Sequence, residues 1–520
     1  MRRDLIVGVD AGTSVIKSVA FSLEGGQVGI AGRPNSYVRE GAGGIEQDMA
    51  RTWRDTAETL RELASGVPRL RERLAAVAVT GQGDGTWLVD ADGAPVGGGL
   101  LWLDSRAAAF AEAFVQRADY PAHYATTGTG VNACQQGTQL AWMRQHQPGR
   151  LAQAATAMHC KDWLYLQLTG VRATDSSEAC FSFGDFRTGE YAPAIAARLG
   201  LEAHAHLLPP IVDGASRRDA LSADAASECG LEPGTPVVLG YVDIICSALG
   251  GALYDPGRRV GCSVLGSTGM HMRLAQGAGD VLLNEARSGY TMRFPAPGVF
   301  AQMQSSMAAT INIDWLLGIA SQASAMAGGE ADRATVLAGL EVHVASAAPG
   351  GALYHPYILE AGERGPFMDA NARAQFSGLS SGTDLPGLFR AVFEGLAFAA
   401  RDCYAAMGPL PDEIRLTGGA ARSASLRTIM ASVLGVPIRS VAREETGAAG
   451  AAMIAAVNLG VCVDVAACVE AWVKPTLGAA TLPDPTLTSF YDGMFPIYLE
   501  VRKGMTGAWR AMEQLRRTLP

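Results

Sequence analysis

Two aspartates stand where a charge is hard to keep. Asp243 sits in GYVDIICSALGG, residues 240–251, a single carboxylate among apolar and small residues just after what reads as a buried strand. Asp10 ends the apolar run LIVGVD and directly precedes the rest of the turn DAGTS. Charged side chains are rarely left in such places unless something pairs with them or uses them. By its neighbours alone, Asp243 reads as a helix N-cap, a side chain accepting backbone N–H bonds. Asp10 alone reads as an Asx-turn residue.

Three short glycine turns follow apolar strands: DAGTS at 10–14, GSTG at 266–269 and TGGAARS at 417–423. Glycine lets a backbone approach a ligand and aim successive N–H groups at one anion, while Ser and Thr hydroxyls add donors. One such turn is an ordinary hairpin signal. Three at corresponding places in two halves of a chain point to a divided phosphate cradle. A carboxylate beside phosphate is repulsive unless a cation intervenes. Mg²⁺ takes one or two carboxylates together with waters and phosphate oxygens, which fits Asp10. Other nucleotide motifs fail on spacing. In GTSVIKS, Ile16 and not glycine precedes Lys17 and Ser18, so there is no Walker A loop. The protein-kinase motifs H-R-D and D-F-G are absent. GQGDG at 81–85 runs into TWLVDADGAPVG, strand-like and turn-rich, where a dinucleotide fingerprint needs a helix.

The elements that must carry these residues repeat. LIVGVDAGTSVIKSVAFSLEGGQVGIAG reads as three consecutive strands around two turns. Residues 51–64 put Trp53, Ala57, Leu60 and Ala64 on one helical face, and LAAVAVTGQGDG returns to a buried strand. After GTPVVLGYVD the grammar restarts with GRRVGCSVLGSTGMHMRL, again strand, turn, strand. A helix begins near Phe389, and EIRLTGG leads into another carrying Leu426, Ile429, Met430, Val433 and Leu434 on one face. Two related α/β domains are expected, divided near residue 250, with a ligand in the cleft between them.

The bulk numbers agree. A chain of 520 residues is too long for one core. A net charge of −9 without a Lys/Arg run argues against a nucleic-acid or anionic-membrane partner. Nine scattered cysteines without a C-x-x-C pair read as buried thiols of a reducing compartment. MRRDLIVGVD has no long apolar leader, and GAAGAAMIAAVNLGVCV is too short and mild for a membrane span, so a cytoplasmic protein is expected.

In this order the motifs VGVDAGTSVIKSVAF, LLWLDSRAA, CKDWLYLQLTG, GLEPGTPVVLGYVD, GSTG, GERGPF, LTGGAARSASLRTIMASVLGVPI and ETGAAGAAMIAA make the chain resemble the FGGY family of carbohydrate kinases over nearly its whole length. The resemblance implies an α/β fold of two actin-like (ribonuclease H-like) ATPase domains with a cleft between them. Residues 1–250 would carry the first phosphate loop, the polyol pocket and the catalytic base; residues 251–520 would carry the second phosphate loop and the adenosine site. The cofactors implied are ATP and Mg²⁺. VTGQGDGTWLVD and HCKDWLYLQLTGVRATDSSEACFSFGDFRTGEY narrow the likeness to a branch that phosphorylates a terminal hydroxyl of erythritol, giving erythritol 4-phosphate. A ketopentose such as L-xylulose or ribulose is the alternative acceptor.

Carried over residue by residue, the resemblance puts Asp10 on Mg²⁺, and Gly12, Thr13 and Lys17 in the first phosphate loop. Gly266, Thr268 and Gly269 fall in the second, and Gly419 and Ser423 along the nucleotide. Asp243 matches the base. A polar pair, Gln82 and Asp84, would meet substrate hydroxyls, but Gly83 stands between them where glycerol kinases have Arg, which makes glycerol a poor acceptor. Trp102 would wall the pocket; Asp104 would touch substrate or simply brace Arg106. Asp175 and Glu178 are weaker pocket candidates. His204 and His206 read as surface residues, His271 as a strand residue without a role, and Met303, Met307 and Trp315 as core. Family members are often dimers or tetramers, so homo-oligomerisation is left open. Outside the enzyme class, an actin-like ATPase serving as a chaperone or assembly module would share the fold, but the pocket residues 82–84 and Asp243 argue against it. A polyol-sensing regulator would need a DNA-binding segment, and no basic helix-turn-helix pattern is present.

Overall fold

The computed structural model describes residues 3–516 and Thr518. Met1 and Arg2, at the start of the stretch read as lacking a leader, lie outside them. Two large sheets are built to one plan. Across the first, the strands run Asp219–Ala220, Pro236–Leu239, Leu74–Gly81, Leu5–Ala11, Val15–Ser22 and Gln27–Pro34. Across the second they run Leu477–Thr481, Ile438–Val441, Glu413–Thr417, Val260–Leu265, Gly269–Ala275 and Phe300–Ser306, with Tyr290–Arg293 added at the edge. In each sheet the first strand in sequence pairs antiparallel with the next and parallel with one that returns much later. The two hairpins therefore put DAGTS and GSTG at equivalent corners.

The pattern of burial follows from position in the stack. Leu5–Ala11 and Leu74–Gly81 lie mid-sheet with both faces covered and read as nearly unbroken apolar runs, while Gln27–Pro34 at the edge leaves Val28 and Ile30 exposed. Outside the first sheet packs Met49–Gly66, capped by the Asp48 carboxylate, which accepts from the Arg51 N–H at 2.9 Å. It buries Trp53, Ala57 and Leu60 as expected, but Leu63 takes the inner position and Ala64 stays partly exposed. Outside the second sheet pack Leu385–Ala405, which starts four residues before Phe389, and Ala424–Leu434, which buries all five expected apolar residues. Trp315 is not core: it is 38% exposed on the outer side of Thr310–Met326, stacked on Phe376. The nine cysteines are free and buried, and among the described residues no helix is long and apolar enough to cross a membrane.

Between the sheets lie two helices, one from each half: Asp243–Gly250 and Thr446–Asn458. They pack on each other, and Thr446–Asn458 also lies across Leu5–Ala11 and Leu74–Gly81 of the opposite half. Such close approach requires small residues. A methyl group at Gly450 would run into the backbone of Cys246, and one at Gly8 into the backbone of Ala448. One apolar cluster is thus continuous through both halves, from Ile6, Phe21 and Val238 to Met272, Ala301 and Ile454.

Gly450→Ala is expected to lower the free energy of unfolding by about 1–3 kcal/mol, because backbone on the facing helix cannot yield as a side chain would. Gly493→Ala, exposed in the helix Pro485–Arg516 with open space around it, should raise stability by about 0.5–1 kcal/mol. Urea unfolding midpoints shifted in the same direction by both variants would contradict this packing.

Candidate active site

The first hairpin pairs Asp10 with Lys17 in register. The Lys17 ammonium reaches the Glu445 carboxylate of the other half, at 2.8 and 2.9 Å to its two oxygens. Glu445 precedes the helix Thr446–Asn458, and a methyl group added at Gly447 in its first turn would run into the Asp10 carboxylate. Burial pushes the Asp10 carboxyl up to about 6, with Lys17 opposing the rise and Glu445 adding to it.

Asp243 does not cap its helix. Val242 is the N-cap, and Asp243 is the first helical residue, half-buried, with its carboxyl in the wall of a cavity of about 380 Å³ between the halves. Burial raises its pKa well above the ordinary carboxylate value, and the neighbouring charges of Asp10, Glu178 and Asp84 raise it further. The group is therefore an unusually strong base for a carboxylate.

Asp84, Trp102 and Thr13 line the same cavity. The Trp102 indole N–H donates to Thr13 Oγ1 at 2.8 Å, and Thr13 donates onward to Gln82 Oε1 at 2.8 Å. Gln82 in turn donates to Gln47 Oε1 at 2.7 Å. Both ends of the Gln82 amide are taken, so Gln82 stands behind the wall, holding Thr13, and not in the cavity. Asp104 is also set back: its carboxylate accepts from the Ile45 N–H at 2.8 Å and pairs with Arg106 at 2.7 Å, a brace within the first half. Asp84 does face the cavity. Its Oδ2 accepts from the Tyr290 hydroxyl at 2.9 Å, while its Oδ1 is buried without a partner among the described residues.

From the second half, Thr268 and Gly269 reach the cavity. Their turn is held by the Gly266 N–H donating to the Thr268 carbonyl at 3.0 Å, and by Thr310, whose hydroxyl donates to the Gly266 carbonyl at 2.8 Å. Gly266 itself lies one step back. Gly419 is exposed, and the Ser423 hydroxyl caps Ala424–Leu434 by accepting from the Leu426 N–H at 3.1 Å. These two stand outside the cavity that holds Asp243. Met303, buried in the apolar cluster shared by both halves as expected, also lines the cavity; Met307 lines it too but is only half-buried and is not core. His271 is a strand residue bonded to Ser263 at 2.9 Å, and burial lowers its pKa to about 3; His206 is exposed and His204 half-exposed.

Sequence reasoning missed two groups, apart from Asp175 and Glu178, which it named as weaker pocket candidates and which the structure sets in the first of them. One is a buried charge cluster behind Asp243, in which the Lys161 ammonium meets Asp162 at 2.6 Å, Asp175 at 2.9 Å and Glu178 at 2.9 Å, with His159 beside them. Its signal was the run HCKDW, polar residues inside an otherwise apolar segment. Burial pushes the Glu178 carboxyl up to about 7, and a methyl group added at Gly83 would lie 3.5 Å from its Oε1. The other group is Asn132, Tyr290 and Arg364, scattered polar residues of the cavity wall, of which only Arg364 lies in a motif, GERGPF.

Comparison with known proteins agrees with the fold. The family model described as the FGGY family of carbohydrate kinases, N-terminal domain, matches residues 5–250, and the corresponding C-terminal domain matches residues 261–459. The chain is 48% identical over 506 residues to the erythritol kinase of Brucella abortus (strain 2308), covering 97% of each. Its structure superposes on a gluconate kinase from Lactobacillus acidophilus with a TM-score of 0.88 at 20% identity, covering 98% of this chain and 99% of that one. On a xylulose kinase from Rhodospirillum rubrum the TM-score is 0.86 at 26% identity, covering 97% and 100%. The chain belongs to the FGGY family of carbohydrate kinases, two-domain actin-like enzymes that transfer phosphate from ATP to a sugar or polyol.

Proposed function

We propose that this kinase works in the cytoplasm and phosphorylates a terminal hydroxyl of erythritol, yielding erythritol 4-phosphate, with Asp243 as general base. The choice of polyol rests on the 48% identity to the Brucella abortus erythritol kinase across 97% of the chain. The observation that carries the chemistry is Asp243 in the wall of an interdomain cavity, its basicity raised by burial and by Asp10. Phosphoryl transfer asks a protein mainly to position groups and balance charge, and a carboxylate receives the attacking hydroxyl's proton. Asp243, half-buried in the cavity wall, would do so.

The residues present fit a divalent cation. Asp10 is a carboxylate whose ionised form burial disfavours, so a cation there would offset the same penalty that lifts its pKa. Bound Mg²⁺ would neutralise charge on the phosphate oxygens. Lys17 would exchange Glu445 for a phosphate oxygen, and Gly12, Thr13, Thr268 and Gly269 would supply the two turns of the cradle. Residues up to about 250 would thus hold the polyol and the base, and the remainder would hold the adenosine, with Gly419 and Ser423 along it.

The test is Mg-ATP-dependent ADP release across erythritol, threitol, glycerol, xylitol, L-xylulose and D-ribulose. Selective stimulation by erythritol is expected. A ketopentose as the preferred substrate would overturn the choice of polyol, and no stimulation by any of them would overturn the reading of a small polyol or ketopentose as acceptor.

Asp10 must be ionised to hold a cation, and its pKa in the folded protein lies above the ordinary value. The sign follows: Mg²⁺ affinity of the free enzyme is full above about pH 6 and weakens below it, by about tenfold per pH unit for one displaced proton. Calorimetric titration should show this slope in the wild type and lose it in Asp10→Asn. An affinity unchanged down to pH 5 would contradict the assignment.

A further inference from the structure

Along one wall of the cavity the second half is stitched to the first. The Gly130 N–H donates to the Gly289 carbonyl at 2.8 Å, the Thr291 N–H to Thr129 Oγ1 at 3.1 Å, and the Tyr120 hydroxyl to the Arg287 carbonyl at 3.3 Å. In the middle of this seam the Tyr290 ring meets Phe181 edge-on, with centroids 5.4 Å apart. The Tyr290 hydroxyl donates to Asp84 Oδ2 at 2.9 Å and accepts from Asn132 Nδ2 at 3.3 Å. Asp84 itself has a φ of 55°, a left-handed backbone uncommon outside glycine, and such strain persists only where the surroundings hold it. The thiol of Cys134 approaches Oδ2 as well, at 3.6 Å, and the charges of His159 and Arg364 face the same carboxylate. The hydrogen bonds from Tyr290 and Cys134 thus both fall on Oδ2. Oδ1, in a residue of the cavity wall, is buried with no partner among the described residues. A buried acceptor left unpaired costs free energy, which a ligand hydroxyl donating to it would recover.

We infer that Tyr290 is a positioning residue for substrate choice: by fixing Asp84 Oδ2 across the domain seam it leaves Oδ1 as one oriented acceptor for a polyol hydroxyl other than the one phosphorylated. The second half of the chain then takes part in selecting the substrate that the first half binds. The inference rests on the polyol-kinase reading above. Diastereomeric polyols such as erythritol and threitol differ in the direction of one secondary hydroxyl, and a single oriented acceptor rewards only one of them.

The experiment is steady-state kinetics of Tyr290→Phe, which keeps the ring and removes only the hydroxyl. The KM for erythritol is expected to rise about tenfold or more, with kcat within about threefold and the KM for ATP unchanged. The erythritol-to-threitol ratio of kcat/KM should fall by a similar factor. Because Tyr290 acts through Asp84, the double variant with Asp84→Asn should be no worse than Asp84→Asn alone. A merely structural role would lower kcat for all substrates and add to the effect of Asp84→Asn. Asn132→Ala, which loosens the same hydroxyl from its other side, should move KM in the same direction by a smaller factor and carries the test if Tyr290→Phe fails to fold. A polyol-responsive wild type whose Tyr290→Phe variant keeps KM and the ratio within twofold overturns this inference alone. A wild type that answers to no polyol overturns the parent reading and this inference together.

Discussion

The contact that the rest of the molecule depends on is the approach of three backbones at its centre. Thr446–Asn458 touches both Asp243–Gly250 and Leu5–Ala11 through small residues, with no side chain thick enough to hold them apart. This contact sets the distance between the two sheets, so it also sets where the two hairpin turns stand. It places the end of the first strand, with Asp10, beside the start of the central helix, with Asp243. Cores tolerate changes of shape poorly when backbone faces backbone. The two carboxylates are held by the least adjustable part of the fold.

That placement opposes stability. Carboxylates brought together out of water resist ionisation, and Asp10, Asp84, Asp243 and Glu178 all have raised pKa values, with burial the largest cause in each. Lys161 answers part of this charge from behind, buried against Asp162, Asp175 and Glu178, and Lys17 answers another part from the front. A buried ion pair seldom adds net stability, but removing one partner leaves an uncompensated charge. The charge still unmet faces the cleft, where a cation and the hydroxyls of a neutral acceptor would meet it. Natural sites commonly keep such local conflicts where chemistry requires them.

Much of this was legible in the chain, for physical reasons that also mark the limit. Asp10 and Asp243 stood out because a charge next to apolar strands needs an explanation, and the paired hairpins were visible as strand, turn and strand in each half. Gln82 and Asp104 were legible as residues of the right segments but not in their direction. Each is turned inward by a partner far off in sequence, Gln47 for one and the Ile45 amide for the other. Tyr290 and Asn132 left no trace, since a lone tyrosine on an edge strand gains its meaning only when the halves meet. Trp315 failed the other way: its size suggested core, but the helix turns it outward.

The central claim is that the cleft positions a proton acceptor for transfer from ATP, and Asp243→Asn tests it most directly. The amide keeps the shape of the carboxylate and cannot take the proton. Rapid-quench turnover measured beside equilibrium binding of ATP and erythritol should show binding held within a few-fold and turnover reduced by ~10²–10⁴-fold. Turnover within about tenfold of wild type, with binding intact, would contradict the account.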